Sequence, residues 1–201
     1  MPGFSTILTA AGESTRMGRP KPLLPWCGTT LVEYQVSSLV RAGVSEVIAV
    51  LGHQAEAVAP YVRGPNVRHV VNPDYRMGKS TSVKAGLKAI SRDAEAILLL
   101  AVDQPRPSLI ISQVIQSHLE SGALITSPRR QGRGGHPVIF SGALRAEMER
   151  ISEESEGLRA VFRAHDSQVN AVQIDDPRIR LDLNTYEEYE RAKISYDCGD
   201  G

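Results

Sequence analysis

The sequence predicts an α/β fold: a single-domain, mostly parallel twisted sheet with helices on both faces, spread over 201 residues. Three observations carry that expectation. Short apolar runs, several rich in β-branched residues, alternate with helix-like segments almost to the C-terminus, the pattern of repeated β–α units. The composition, 41% hydrophobic and 23% charged, is that of a soluble globular chain with room for a substantial core. The first apolar run empties into a small, basic, glycine-bearing loop, the place where open α/β sheets bind ligands.

Ser5 to Ala10 reads as the first strand, and Thr30 to Arg41 as a helix with Leu31, Tyr34 and Leu39 near one face and Gly43 past its end. Glu46 to Leu51 reads as strand, Gln54 to Tyr61 as helix and Val67 to Val71 as strand. Ser80 to Ser91 reads as helix, and Ala96 to Ala101 as a buried strand that runs out at Asp103. Pro107 opens a helix toward Glu120, because proline suits a first helical turn. Ala123 to Ser127 is a further strand. There the rhythm changes. Arg129 to Gly135 reads as loop, His136 to Phe140 as strand, and Gly142 to Ala164 as mostly helical with a break near Gly157. Val169 to Ile174 and Ile179 to Leu183 read as short strands before a helix over Thr185 to Lys193. No linker, low-complexity stretch or repeat divides the chain, so residues 1–201 are expected to form one domain.

Charge narrows the partners. Twenty-three basic side chains balance 23 acidic ones, which argues against a nucleic-acid partner, since such proteins carry a basic excess or stripe. Small phosphorylated ligands need only a local patch. No apolar run approaches the roughly 18 residues that span a bilayer, and no signal-peptide pattern opens the chain, so the expected compartment is the cytoplasm, with no membrane partner. Cys27 and Cys198 lie far apart, in no CxxC spacing, and imply neither a disulfide framework nor a zinc site.

The stretch Thr9-Ala10-Ala11-Gly12-Glu13-Ser14-Thr15-Arg16-Met17-Gly18-Arg19-Pro20-Lys21-Pro22-Leu23-Leu24-Pro25-Trp26 organises the rest. Glycines 12 and 18 allow the backbone to turn its N–H groups toward an anion, and Arg16 and Lys21 add mobile positive charge. The chemistry suggested is a grip on a triphosphate. A second signal is Leu98 to Pro105, an apolar strand that delivers Asp103 to its carboxyl end. A carboxylate there can hold Mg²⁺, which prefers oxygen donors and bridges phosphates; the plainer reading is a cap on the helix near Pro107. In Leu181-Asp182-Leu183-Asn184-Thr185, the alternate residues Asp182 and Asn184 share a face if extended, or else Asn184 or Thr185 merely caps the last helix. Gly78-Lys79-Ser80 is not a Walker A loop, since Pro73 stands where that motif needs glycine, and neither G-x-G-x-x-G nor G-x-S-x-G occurs.

Five segments, in order from about Ile7 to Lys193, resemble the molybdenum cofactor cytidylyltransferases, members of the nucleotidyltransferase superfamily with a glycosyltransferase-A-like fold. They are the loop T-A-A-G-x-S-x-R-M-G-x-x-K-x-x-L-P-W; the N-P-x-Y segment from Asn72 through Gly78 to Ser82; the D-x-P at Asp103; the Gly132 to Phe140 segment with Gly135-His136-Pro137; and the terminal Asp182-Leu183-Asn184-Thr185. Two departures stand out in the last: Asn184 replaces an aspartate and Tyr186 a proline. The resemblance implies Mg²⁺-dependent (or Mn²⁺-dependent) transfer of CMP from CTP to the terminal phosphate of the molybdenum-pterin cofactor, with pyrophosphate released. It implies catalytic roles for Arg16, Lys21 and Asp103, and nucleotide binding by Ala10, Ala11, Gly12, Ser14, Arg16, Gly18, Lys21, Asn72, Gly78 and Ser82. Gly135, His136 and Pro137 would face the acceptor, and Asp103, Asp182 and Asn184 the metal. A recipient molybdoenzyme, or its chaperone, is the implied protein partner. The alternatives are a relative using GTP or another NTP with a pterin, sugar-phosphate or alcohol-phosphate acceptor, and a non-catalytic protein that carries the cofactor to a molybdoenzyme.

Overall fold

Side-chain alternation along three central strands decides how the layers assemble. The computed structural model describes residues 3–14 and 17–198. Its elements are β1 (Phe4–Ala10), β2 (Pro25–Trp26), β3 (Thr29–Thr30), α1 (Leu31–Arg41), β4 (Glu46–Leu51), α2 (Ala55–Val58), β5 (Val67–Val71), α3 (Lys79–Ala89), β6 (Ala96–Ala101), α4 (Ser108–Ser121), β7 (Ile125–Arg130), β8 (Arg133–Gly134), β9 (Val138–Ser141), α5 (Arg145–Met148), α6 (Leu158–Ala164), β10 (Val169–Gln173) and α7 (Tyr186–Ser195). Val47, Ala49 and Leu51 of β4, and Ala96, Leu98 and Leu100 of β6, point to one face with Phe4, Leu8 and Ala10 of β1. Ile48, Val50, Ile97, Leu99 and Ile7 point to the other. A strand buried on both faces must be apolar at every position, which is why β6 reads Ala-Ile-Leu-Leu-Leu-Ala.

Helices α1, α4 and α7 cover the first face and α3, α5 and α6 the second. The main sheet runs β10-β7-β9-β6-β1-β4-β5, with β8 paired to β7. Pairs β1–β4, β1–β6, β4–β5 and β7–β10 are parallel. β9 enters antiparallel between β6 and β7, which explains the broken rhythm after Arg129: a β-hairpin excursion through β8 replaces a helical crossover there. Several stretches differ from the sequence reading. Arg129 to Gly135, read as loop, holds the end of β7 and all of β8. Ile179 to Leu183 is a 3₁₀ turn over Pro177–Arg180 followed by unpaired extended chain, not a strand. The region Gly142 to Ala164 forms only short helices, with residues 149–157 irregular between them.

α1 starts where the sequence says it should: Thr30 accepts from the Glu33 N–H while the Glu33 side chain accepts from the Thr30 N–H, a capping box. The same device, Thr185 with Glu188, opens α7. Cys27 and Cys198 form a disulfide despite a separation of 171 residues. That corrects the expectation drawn from spacing alone, because Tyr196 packs edge-on against Trp26 and its hydroxyl meets that of Tyr34, bringing the C-terminal tail beside Cys27. Among the described residues, no helix is long and apolar enough to cross a membrane.

Candidate functional site

The carboxyl ends of β1 and β6 lie side by side, since Thr9 pairs with Ala101 and the Val102 N–H donates to the Thr9 carbonyl. Whatever follows these strands must meet above the same sheet edge. β1 ends at Ala10 and the loop after it begins with Ala11, both buried, and the Ala11 carbonyl accepts from the His53 N–H. Gly12 is exposed, with open space where a side chain would stand. Ser14 takes a positive φ of 54°; its hydroxyl accepts from the Lys21 N–H and its carbonyl from the Met17 N–H. Gly18, at φ 63°, reverses the chain before the Lys21–Leu23 turn. Arg16, expected to touch the triphosphate, lies outside the described residues.

That turn aims Lys21 across the sheet edge. Its Nζ donates to Asp103 Oδ2 at 2.7 Å, with side-chain exposures of 14% for Lys21 and 27% for Asp103. Asp103 does not cap α4: the N-cap is Pro107 and no side chain caps that end. The Asp103 carbonyl accepts from the Leu183 N–H at 2.9 Å, so the extended strap before α7 is stitched to the Asp103 turn. Leu183 is buried, while Asp182 and Asn184 on either side of it are exposed. Thr185, rather than Asn184, caps α7.

Asn72 and Ser82 are both buried, and the Asn72 amide donates to the Thr81 and Ser82 hydroxyls. These two side chains brace the start of α3. The Ser80 N–H, one of the donors expected to be free at that helix end, is taken by Glu153 Oε1 at 2.6 Å. The same carboxylate fills the space beside Gly78, whose φ of 117° favours glycine. The hydrogen bond from the Ser80 N–H holds the Glu153 carboxyl below the usual carboxylate range.

The Gly135-His136-Pro137 turn is packed against the same strap. A Cβ on Gly135 would strike the backbone of Ile179, and the His136 N–H donates to the Ile179 carbonyl. The His136–Pro137 peptide is cis. Burial, with the Arg106 charge beside it, pulls the His136 pKa down to about 4, so the imidazole is neutral at physiological pH.

Two side chains that sequence reasoning passed over hold these parts together. Gln35, fully buried on α1, donates to the carbonyls of Ala101 and Gln104 and accepts from the Arg106 N–H. It therefore splints the turn that carries Asp103. Its signal was present in the sequence: a glutamine four residues after Leu31, on the apolar stripe of a helix. Arg106, between two prolines, is the other. Glu13, in the first loop, pairs with Arg76 Nε at 2.6 Å and accepts from the Tyr75 hydroxyl, joining that loop to the segment before α3.

Asp103, Asp182 and Asn184 offer only oxygen donors. Among the described residues no group of three or more His, Cys, Asp or Glu side chains gathers into a preformed metal cage. A site with one or two carboxylates suits Mg²⁺, which keeps waters and takes much of its coordination from substrate phosphates. Asp103 already attracts one cation, the Lys21 ammonium.

The MobA-like NTP transferase domain family matches residues 6–169. The chain is 33% identical over 199 residues to the nicotine blue oxidoreductase of Paenarthrobacter nicotinovorans, covering 95% of this chain and 97% of that one. It is 31% identical over 198 residues to the molybdenum cofactor cytidylyltransferase of Escherichia coli, covering 98% of each. Its fold is similar to that of Rv0371c from Mycobacterium tuberculosis, with a TM-score of 0.83 at 26% identity over 95% of this chain and 97% of that one. That protein has also been solved in complex with manganese. With the match spanning the loop after β1, the Asp103 turn and the sheet that joins them, the chain belongs to the MobA-like NTP transferase domain family and is a nucleotidyltransferase.

Proposed function

We propose that the protein transfers CMP from CTP to the terminal phosphate of the molybdenum-pterin cofactor, giving the cytosine dinucleotide form and pyrophosphate. The observation that carries this reading is the Lys21–Asp103 contact, in which the cation of a phosphate-type loop and the carboxylate of a metal-type turn meet at one sheet edge. The 31% identity to a cytidylyltransferase over 98% of each chain supports the choice of nucleotide and acceptor.

No enzyme nucleophile is needed. An oxygen of the acceptor phosphate forms the new bond to the α-phosphorus, and the bond to the bridging oxygen of the β-phosphate breaks, releasing pyrophosphate. The protein's task is alignment and charge neutralisation. Backbone N–H groups from Gly12 to Gly18, with Arg16 and Lys21, bind the triphosphate, and Ala10 and Ala11 shape the floor under the base. Lys21 leaves Asp103 to do so. Asp103, Asp182 and the Asn184 carbonyl hold Mg²⁺ or Mn²⁺. Bound there, the metal supplies Lewis-acid stabilisation of phosphoryl charge. Neutral His136, with Gly135 and Pro137, orients the acceptor and takes no part in proton transfer. Asn72, Gly78 and Ser82 serve the nucleotide indirectly, by fixing the start of α3. The cytoplasm, which holds the CTP pool, is the proposed compartment, and a molybdoenzyme or its chaperone receives the product.

The test is pyrophosphate release with CTP, GTP and ATP, each with Mg²⁺ and the pterin cofactor. Release from CTP alone, dependent on the cofactor, supports the reading. Release from GTP, or with another phosphorylated acceptor, moves the protein elsewhere among the nucleotidyltransferases. The similarity to a nicotine blue oxidoreductase adds one arm: nicotine blue with a hydride donor is expected to keep its colour.

A further inference from the structure

Arg106 is, among the described residues, the one Lys, Arg, Asp or Glu that is fully buried. Among the described residues its guanidinium forms no ion pair with a carboxylate. Nε donates to the His136 carbonyl at 2.9 Å, Nη1 to the carbonyls of Pro105 at 3.0 Å and Leu181 at 2.9 Å, and Nη2 to that of Ile179 at 2.9 Å. Three chain segments therefore converge on one planar fork: the Asp103 turn, the His136 turn and the strap that leads to Asp182 and Asn184. Burial pulls its pKa down to about 10, which leaves it charged at neutral pH. Keeping a charge out of water is costly, and an all-carbonyl shell returns that cost only with good geometry.

The strap explains why such a side chain is needed. Residues 181–184 belong to no strand, so no sheet ladder sets their height. Around them the Leu183 N–H reaches the Asp103 carbonyl, and Arg106 takes the carbonyls of Leu181 and Ile179. The same charge lies within electrostatic reach of both Asp103 and Asp182.

We propose that Arg106 is a positioning residue for the metal and acceptor site: its buried guanidinium sets the spacing between the Asp103 turn, the Asp182–Asn184 strap and the His136 turn. The proposal rests on the metal reading given above. It assigns Arg106 no contact with substrate. Lysine cannot replace it, because an ammonium on a flexible stem lacks the planar fork that reaches several carbonyls at once.

The experiment is a Mn²⁺ titration, followed by the electron paramagnetic resonance signal of the free ion. It uses wild type, R106K and R106M with the α,β-methylene analogue of CTP present, and melting curves and steady-state kinetics run in parallel. R106K is expected to fold, to bind Mn²⁺ roughly tenfold or more weakly, and to lose a similar factor in kcat while KM for CTP stays within about threefold. R106M should lose more, and if it does not fold, R106K and R106Q carry the comparison. A folded R106K that melts lower yet binds Mn²⁺ and turns over like wild type would make Arg106 a tie of the fold only, and overturns the proposal. Wild type that binds no Mn²⁺ overturns both this and the metal reading. If wild type binds the ion, separates from R106K, and transfers no CMP, the substrate reading fails and this proposal stands.

Discussion

Lys21 Nζ lies 2.7 Å from Asp103 Oδ2, an ion pair between residues 82 positions apart in the chain. The two charges neutralise one another at the sheet edge. Under the proposed function this pair would give way, on binding of a metal–nucleotide complex, to Lys21 with phosphate and Asp103 with the cation.

A double-mutant cycle tests the pair directly. Lys21→Met and Asp103→Asn should each lower stability slightly. Their coupling is expected to be about 1 kcal/mol, the upper range for a pair still touched by solvent. Urea unfolding of the four proteins measures it. Additive losses would mean the two groups do not interact in solution.

Asp103→Asn should reduce turnover by about a hundredfold or more, the scale of one lost electrostatic contribution at a reacting phosphate. Its melting temperature should fall slightly rather than rise, because the carboxylate is compensated by Lys21. Chelation of divalent ions should abolish pyrophosphate release, and Mg²⁺ or Mn²⁺ should restore it. Wild-type turnover by the folded variant would remove the metal role. A capping role offers no rescue, since no side chain caps the start of α4.

Lys21→Ala should raise KM for CTP by roughly tenfold or more, the loss expected for one charged contact to phosphate. In wild type, CTP should outcompete GTP and ATP at saturating acceptor. Equal pyrophosphate release from CTP and GTP would leave the superfamily chemistry intact and the cytidylyl assignment without support.

His136 predicts an acid limb in stability. Burial holds its folded pKa at about 4, below the unfolded value near 6.5. Between these values the unfolded chain binds more protons, so stability rises with pH through that window and is complete above it. On lowering the pH from about 6.5 to 4, roughly 2–3 kcal/mol should be lost on this account, taking the shift at 1.4 kcal/mol per unit. Melting curves of wild type and His136→Gln across that range check it: the variant should show the shallower dependence. Equal slopes would place the imidazole in water.

The sequence by itself determined the alternating elements and their layers. β4 and β6 run over the spans read from their apolar residues, because burial on both faces demands an apolar residue at every position. It also determined the starts of α1 and α7, where Thr and Glu three residues apart form a local capping box. The residue types of the candidate site were legible too, as Lys21, Asp103, Asp182 and His136 stand in short motifs.

Tertiary structure alone decided how those motifs meet. The antiparallel entry of β9 depends on pairing with β6 and β7, a long-range choice that local pattern does not encode. Ile179 to Leu183 reads as strand by its apolar alternation but pairs with no strand, so the Arg106 guanidinium and the Leu183 N–H bond to the Asp103 carbonyl set its place instead of a ladder. The disulfide between Cys27 and Cys198 follows from the packing of Tyr196 on Trp26, which no spacing rule contains. Arg106 was likewise invisible as a site residue, and Gln35 showed only as a polar residue on an apolar helix stripe. A buried donor takes its meaning from the carbonyls that surround it, and those come from segments far apart in the chain.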